Sequence, residues 1–185
     1  IGNWSYKPDS VASDLFQATY WILRECSWLH DSFFGERIII PNGNPFVVVL
    51  ILTYNGKTLL EDSIKSYSEN SYSNFRIVVI DNGSTDGTKE YVQEQFPYVS
   101  LIRVENNRGY SGGFNVGIKY AIDEMNADYV LITNDDVIVD QSAISELVNV
   151  ASMNKKIGFV TGKVYYYDLD GNNNILQTVG RESSP

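Results

Sequence analysis

Apolar and polar residues alternate in blocks along residues 46–153, and the blocks show two periodicities. Continuous apolar stretches rich in β-branched residues are typical of strands buried on both faces. Four stretches fit that description: 46–52, 75–80, 99–104 and 129–132. Between and after them, apolar residues recur every three or four positions, as on one face of a helix: 57–69, 88–95, 111–125 and 143–153. Strands that alternate with helices predict an α/β domain with a mostly parallel sheet and right-handed crossovers.

The residues after 153 predict smaller elements. Residues 157–161 are a candidate for one further strand. Residues 163–167 and 175–179 flank a polar turn at 168–174, which is the pattern of a β-hairpin. We therefore expect a C-terminal hairpin after the parallel sheet.

Residues 1–45 differ from the rest of the chain and predict an N-terminal helical extension. Apolar residues recur there at helical spacing: Val11, Leu15, Ala18, Ile22, Cys26 and Leu29. The segment is rich in aromatic residues, so two interpretations stay open. It is either a helix packed on this or a neighbouring domain, or an interaction surface for a partner chain or a membrane face. The loop at 41–45 is the expected boundary with a second domain at 46–185.

Charge and composition narrow the classes of ligand. The chain has 185 residues and a formal net charge of -9, which suits one domain and argues against a nucleic-acid-binding surface. An anionic ligand would need a metal ion, a helix N-terminus or a few placed cations. The single cysteine, Cys26, rules out an internal disulfide framework, and no stretch is apolar enough to span a bilayer. We expect a cytoplasmic protein.

Every predicted strand ends in polar residues that a plain core would not need. After the first strand, Thr53, Tyr54 and Asn55 offer an aromatic stacking face for a base, with hydrogen-bond donors and acceptors beside it. After the second strand, Asp81 is placed to accept hydrogen bonds from a base or a ribose. Two roles stay open for Asp86: the same kind of contact, or capping of the helix that follows.

The third and fourth strand ends add groups suited to phosphate and metal. Gly109 and Gly113 let the backbone approach a ligand closely, and Arg108 is the expected partner for phosphate. Asp135 and Asp136 follow a buried strand, where like charges raise each other's pKa or require a cation. Taken alone, this pair fits either a divalent-metal site or a solvated turn that caps the next helix. The four strand ends together predict a sugar-nucleotide site at one edge of the sheet.

Two common nucleotide-binding signatures are absent from the sequence. There is no GxxxxGK[ST] phosphate loop and no GxGxxG after the first strand, which argues against phosphate-loop NTPases and dinucleotide-binding dehydrogenases. A nucleotidyltransferase would need a triphosphate loop rich in Gly and Lys or Arg after the first strand, and that loop is missing too.

Four motifs, in order, resemble those of the family 2 glycosyltransferases of GT-A fold, with rhamnosyltransferase-like members the best match: VVLILTYNG, VVIDNGSTDGT, NNRGYSGGFNVGI and YVLITNDD. The resemblance covers roughly residues 46–180. It implies a Rossmann-like, mostly parallel sheet flanked by helices, and transfer of a sugar from a nucleotide-diphosphate donor, usually with inversion. The implied partners are a UDP- or dTDP-sugar donor and a glycan or lipid-linked acceptor. The implied setting is polysaccharide biosynthesis, in the cytoplasm or at the inner face of the membrane.

The resemblance also implies roles for individual residues. Donor-nucleotide contacts fall on Thr53, Tyr54, Asn55, Asp81, Asp86, Arg108, Gly109, Gly113 and Asp135. Asn134, Asp135 and Asp136 match the family's DXD-type motif, with asparagine in the first place. Asp136 is then the direct ligand of Mg²⁺ or Mn²⁺, and Asp135 lies on the ribose or the metal.

An inverting transferase also needs a general base, usually Asp or Glu. In the family this acid follows the last strand of the nucleotide half, and no residue before Pro185 is identified with it. We expect the acceptor-side portion to be missing from this chain. A non-catalytic scaffold domain that binds sugar nucleotides is the alternative.

Overall fold

The computed structural model describes residues 43–154, 157–165 and 176–178. The predicted N-terminal helix lies outside the described residues, and so does the polar turn at 168–174. The described residues belong to two compact units, one made of 43–154 with 157–160 and the other of 161–165 with 176–178. The domain boundary at 41–45 stays a prediction.

The larger unit alternates strands and helices, as the sequence predicts. Its strands are β1 (Val47–Thr53), β2 (Phe75–Asp81), β3 (Ser100–Arg103) and β4 (Tyr129–Asn134). Its helices are α1 (Lys57–Ser68), α2 (Thr88–Gln95), α3 (Gly109–Asp123) and α4 (Ala143–Ser152). Every predicted end lies within two residues of the observed one. Within the described residues, no helix combines the length and the apolar character needed to cross a membrane.

The four strands form one parallel sheet in the order β3-β2-β1-β4. Every residue of β1 is buried, which explains the unbroken apolar composition of this central strand. In the register, Thr53 at the end of β1 lies opposite Asp81 of β2, and Leu52 lies opposite Asn134 of β4. The predicted parallel α/β sheet is confirmed.

Helices cover both faces of the sheet. Successive residues of a strand point to opposite faces, so β1 contributes to two cores. The first core joins β1 to α1, α2 and α4: Val49, Ile51, Leu60, Ile64, Val92 and Ile144. The second joins β1 to α3: Leu50, Leu52, Phe114 and Ala121. Gly117 lets α3 lie close to the sheet, because a Cβ at that position would be 2.2 Å from Ile80 Cδ1.

The direction of the sheet reverses at β1. From β1 the chain proceeds outward to β2 and β3, and α3 then carries it back to β4 on the other side of β1. In open α/β sheets, the carboxyl ends of the two strands at such a reversal border a crevice where ligands bind. The ends of β1 and β4 occupy that place here, and they carry Thr53 and Asn134.

The predicted strand at 157–161 is wrong. These residues have no regular secondary structure, and the Ile157 N–H donates to the Asn154 carbonyl oxygen. Phe159 is exposed, and Gly158 interrupts the apolar run. A short apolar run becomes a strand only where a neighbouring strand pairs with it, and that depends on tertiary structure rather than on composition.

The smaller unit contains the predicted hairpin strands. β5 (Val164–Tyr165) pairs antiparallel with β6 (Leu176–Thr178). Val164 lies opposite Thr178, and Tyr165 lies opposite Leu176. The prediction of two paired strands is confirmed, and the remaining residues of the predicted hairpin, apart from Lys163, lie outside the described part of the chain.

Candidate functional site

A direct contact joins the ends of β1 and β4 at the reversal of the sheet. The Thr53 hydroxyl donates a 2.6 Å hydrogen bond to Asp135 Oδ2. Thr53 is only 1% exposed, so this bond anchors the carboxylate to the buried end of the central strand. Gly56 makes the arrangement possible, since a Cβ there would lie 1.9 Å from Asp135 Oδ2.

The surroundings of Asp135 disfavour its charge. Burial raises the pKa of the Asp135 carboxyl, the Thr53 hydrogen bond lowers it, and the neighbouring charge of Asp136 raises it again. The net direction is upward, so the ionised pair carries an electrostatic cost that a bound cation would relieve. Asp136 itself is exposed to solvent and accessible to a ligand.

Tyr110 is a site residue that the sequence interpretation missed. It lies in the first turn of α3, and its ring packs edge-on against Phe114 with 5.1 Å between ring centroids. Burial raises the pKa of the Tyr110 hydroxyl, and the charges of Asp136 and Asp135 raise it further. The hydroxyl is therefore near the acid pair and stays protonated as a hydrogen-bond donor. The only signal in the sequence is an aromatic residue that follows Arg108-Gly109 at a helix start.

The chemistry of the donor atoms fits a hard divalent cation. Asp135 and Asp136 offer carboxylate oxygens, and Asn134 adds a buried Oδ1 with no hydrogen-bond partner among the described residues. No cluster of three or more His, Cys, Asp or Glu side chains able to hold a metal occurs in the described part of the chain. The protein thus supplies a partial set of ligands. Mg²⁺ is commonly bound in this way, with substrate phosphates and water completing the coordination.

The loops after β1 and β2 are tied together at Asn55. The Asn55 N–H donates to Ser84 Oγ at 2.9 Å, and Asn55 Oδ1 accepts from the Thr85 N–H at 2.8 Å. Asn55 adopts φ 54°, a left-handed conformation that asparagine tolerates better than most residues. The neighbouring Tyr54 side chain is 51% exposed on this fixed loop. The exposed ring is accessible to a ligand, and its stacking on a base stays a prediction.

Asp81 lies beneath the surface of the site instead of facing it. Its side chain is 0% exposed, and both carboxylate oxygens are used within the protein. Oδ1 accepts from the Ser84 N–H at 2.8 Å, and Oδ2 accepts from Arg103. Arg103 also donates to the Ser84 carbonyl oxygen at 2.9 Å. The sequence interpretation missed Arg103, whose only signal in the sequence is a cation at the end of an apolar strand. Direct contact between Asp81 and a base stays a prediction.

Asp86 links the starts of two helices. Its Oδ1 accepts from the N–H and hydroxyl of Thr88 in α2, and its Oδ2 accepts from the Lys57 N–H of α1 at 3.3 Å. Burial raises the pKa of Asp86, but these hydrogen bonds together bring it below its ordinary value. The N-cap residues of α2 and α1 are Gly87 and Gly56, so Asp86 supports the two helix starts from outside the cap positions, by accepting from their first N–H groups. A contact with the donor nucleotide stays a prediction.

Asn82 holds the loop between β3 and α3 in place, and the sequence interpretation missed this residue too. Its Nδ2 donates to Asn107 Oδ1 at 3.0 Å and to the Gly109 carbonyl at 3.1 Å. Its Oδ1 accepts from the Arg108 N–H at 3.0 Å, and its own N–H donates to the Thr53 carbonyl at 2.9 Å. Both side-chain ends of this buried amide are thus satisfied, and the loop is fixed to the ends of β1 and β2.

Two glycines bring the start of α3 close to the rest of the site. A Cβ at Gly113 would lie 2.5 Å from Leu52 Cδ1, so the helix packs directly over the end of β1. Gly109 has φ 69°, which makes glycine the favoured residue where α3 begins.

Arg108 lies towards the β3 side of the site. It lines a shallow hollow of about 230 Å³ together with Arg103, Glu105, Asn106 and two valines. In the strand order, β2 and β1 separate β3 from β4, which precedes the acid pair. The predicted contact of Arg108 with phosphate stays a prediction.

The sequence of the chain matches a known protein family. The family model described as Glycosyl transferase family 2 matches residues 48–183, which is well over half of the chain. The chain belongs to glycosyl transferase family 2. The matched range includes every strand end described above, so the Thr53–Asp135 contact and the Asp81–Arg103 pair both lie within the family domain.

Two curated relatives of the chain carry the name of a polysaccharide synthase. It is 31% identical over 161 residues to the poly-beta-1,6-N-acetyl-D-glucosamine synthase of Staphylococcus aureus (strain COL). It is 27% identical over 158 residues to the enzyme of the same name from Staphylococcus epidermidis. Each match covers 80% of this chain and 37% of the relative, so the chain spans little more than a third of the length of these relatives.

A solved structure shares the fold. The mannosyltransferase PcManGT from Pyrobaculum calidifontis, in complex with GDP-Man and Mn2+, matches with a TM-score of 0.52 and 24% identity. The match covers 77% of this chain and 43% of the mannosyltransferase. The predicted glycosyltransferase fold, GT-A, is thereby confirmed.

Proposed function

We propose that this chain is the donor-binding part of a metal-dependent glycosyltransferase. It transfers a sugar from a UDP- or dTDP-sugar to a hydroxyl group of a glycan or another acceptor, with inversion at the anomeric carbon. The observation that carries the proposal is the Thr53–Asp135 contact, which holds an acid pair at the sheet reversal of a family 2 domain. Because the chain spans little more than a third of its curated relatives, this proposal concerns the activity of the whole enzyme.

The acid pair would hold the cation. Asp136 and Asp135 are its protein ligands, with Mg²⁺ and Mn²⁺ both matching their oxygen chemistry. When bound, the cation supplies Lewis-acid stabilisation of the negative charge that grows on the leaving diphosphate. Support comes from the raised pKa of Asp135 and from the buried Asn134 Oδ1, which has no hydrogen-bond partner among the described residues. The Mn2+ in the complex of the mannosyltransferase agrees with this chemistry.

The chain's own residues would bind and orient the donor. The exposed Tyr54 ring provides a stacking face for the base, on a loop fixed by Asn55. Asn82 positions the backbone of the loop that carries Arg108 and leads into α3. Tyr110 stays protonated near the acid pair and can donate a hydrogen bond to a donor oxygen. Such fixed positions reduce the entropy lost when the reactants are brought together.

The relatives support the choice of substrates. Two of them are named for making poly-beta-1,6-N-acetyl-D-glucosamine, which agrees with a glycan acceptor, and the mannosyltransferase holds a nucleotide sugar. The relatives described above do not include a rhamnosyltransferase, so the rhamnosyltransferase-like subtype stays a prediction. So do the cytoplasmic location, the lipid-linked acceptor and the contact of residues 1–45 with a partner domain or membrane face.

A thermal-shift screen of nucleotide sugars tests the proposal. With Mn²⁺ present, we expect UDP-N-acetylglucosamine, UDP-glucose or dTDP-rhamnose to raise the melting temperature. Asp136→Asn should abolish the shift, whereas Asp62→Asn, the same charge change at an exposed position of α1, should keep it. If none of the sugars stabilises the wild-type chain, the proposal is wrong. If a sugar binds but the full-length enzyme neither transfers nor hydrolyses it, the scaffold alternative is favoured.

A further inference from the structure

The Asp81 carboxylate is shielded from any ligand by its own partners. The side chain is 0% exposed, Ser84 donates to one oxygen and Arg103 donates to the other. A base cannot reach this carboxylate unless Arg103 moves away, which would leave a buried charge without its partner. Leaving the buried Asp81 carboxylate without its cation is strongly unfavourable.

The Arg103 guanidinium, in contrast, reaches the surface. Its side chain is 37% exposed and lines the hollow at the end of β3. Two anchors fix its orientation: Nη1 donates to Asp81, and Nη2 donates to the Ser84 carbonyl. A guanidinium has five N–H donors in one plane, so donors remain beyond these two bonds.

Ser84 connects this arginine to the predicted stacking residue. Its backbone N–H contacts Asp81, its carbonyl contacts Arg103, and its hydroxyl accepts from the N–H of Asn55, next to Tyr54. Ser84 thus joins the loop that carries the Tyr54 ring to the Arg103 guanidinium at the end of β3. Tyr54 follows β1, Ser84 follows β2 and Arg103 ends β3, and these three strands are neighbours in the sheet.

We propose that Arg103 reads the base of the donor nucleotide, and that Asp81 is a positioning residue acting through it. This inference rests on the proposed function. An arginine offers only donors, so it matches a keto oxygen, as in uracil, thymine or guanine. At the corresponding ring position cytosine and adenine carry an amino group. Two hydrogen-bond donors would then face each other, so arginine disfavours these bases. The charged donor makes such a contact worth a preference of about tenfold or more.

The inference is tested with pairs of nucleoside diphosphates in which one base carries a keto group where the other carries an amino group. Calorimetry with the full chain and Mn²⁺ would compare UDP with CDP and GDP with ADP. We expect the wild-type chain to prefer the keto member of the pair it binds by about tenfold. Arg103→Gln should bring that ratio close to one. Arg76→Gln, an exposed arginine near the opposite end of β2, should leave the ratio unchanged.

A second variant keeps the test valid if Arg103→Gln fails to fold. Arg103→Gln leaves Asp81 buried without its cation, so the Asp81→Asn/Arg103→Gln double variant removes both charges together. It should also lose the keto preference while keeping a cooperative melting transition. A base ratio, unlike an affinity, is not shifted by a uniform loss of folded protein.

The outcomes separate this inference from the proposed function. The inference is overturned if the wild-type chain binds both members of a pair equally well, or if Arg103→Gln or the double variant keeps the wild-type ratio. Loss of the preference in Asp81→Asn alone, with Arg103→Gln unaffected, would assign base recognition to Asp81 instead. Failure of the wild-type chain to bind any of the four nucleotides, and dTDP as well, would contradict the proposed function itself.

Discussion

The Thr53 hydroxyl and the Asp135 carboxylate, 82 residues apart in the chain, are joined by a 2.6 Å hydrogen bond. The contact crosses the sheet reversal, because Thr53 ends β1 and Asp135 follows β4. It fixes one member of an acid pair whose charge the surroundings otherwise disfavour. The acid pair therefore depends on the end of the neighbouring strand for its geometry.

Thr53→Val should weaken metal-dependent binding of UDP or dTDP by about tenfold or more. The substitution keeps the shape of the side chain but removes the hydrogen bond to a charged acceptor, which is worth about 1.5–3 kcal/mol. Calorimetry in Mn²⁺ measures the effect. Thr53→Ser retains the hydroxyl and serves as the control. Equal affinities for the valine and serine variants would show that the bond does not position Asp135.

Gly56→Ala should have a similar effect through a different cause. The backbone at Gly56 has φ -104°, which alanine adopts without strain, but its Cβ would be 1.9 Å from Asp135 Oδ2. The carboxylate must move, so Mn²⁺-dependent nucleotide binding should fall while the fold is kept. Gly158→Ala is the matched control, because a Cβ there meets nothing within 4 Å. An unchanged affinity in Gly56→Ala would contradict this account of Asp135.

Asn82→Asp should loosen the loop that carries Arg108. Aspartate cannot donate to the Asn107 side chain or to the Gly109 carbonyl. Both of these acceptors would then face a carboxylate oxygen in the buried place that the Asn82 amide nitrogen now occupies. A loss of about 1–3 kcal/mol is expected for such unsatisfied groups. Hydrogen exchange should show faster exchange at residues 105–113.

Asn115→Asp, at an exposed position of α3, provides the control for that experiment. It introduces the same charge and should leave exchange in the loop unchanged. Protection of 105–113 that is equal in both variants would rule out Asn82 as the residue that holds the loop.

Asp86→Ala should destabilise the fold by about 1 kcal/mol at pH 7, which is the usual value of a helix cap. The pKa of Asp86 in the folded chain is below the ordinary value of 3.8, so its stabilising contribution is present above that pH. It is lost as the pH falls through the lowered pKa. Urea unfolding of the two proteins should therefore differ at pH 7, and the difference should disappear once the pH lies below the lowered pKa of Asp86. A difference that is independent of pH would contradict this role of the ionised carboxylate.

The same variant distinguishes the two roles left open for Asp86. If Asp86 only supports the helix starts, nucleotide affinity measured on the folded variant should equal that of the wild type. A loss of affinity beyond the loss of stability would support a contact with the donor.

Periodicity predicted most of the sheet, because strands buried on both faces have an unmistakable apolar composition. The exceptions occur where pairing overrides composition. Thr133 and Asn134 are polar, yet they extend β4 because they lie opposite Ile51 and Leu52 of β1. Residues 157–161 are apolar enough for a strand but form none.

The residue types of the site could be predicted, but their partners could not. The sequence shows acids, amides and glycines at four strand ends, and these ends do meet at one edge of the sheet. It does not show that Arg103, 22 residues after Asp81, covers that carboxylate, or that Asn82 bonds to a loop about 25 residues further on. Such pairings depend on register and strand order, which are long-range properties of the fold.

Metal-dependent binding of a nucleoside diphosphate is the central claim, and calorimetry tests it most directly. UDP and dTDP are titrated into the wild-type chain and into Asp136→Asn, each with Mn²⁺ and again with EDTA. We predict that at least one of the two nucleotides binds the wild type in Mn²⁺, and that EDTA or Asp136→Asn weakens this binding about tenfold or more. No binding under any condition, or equal binding with Mn²⁺ and with EDTA, would contradict the claim.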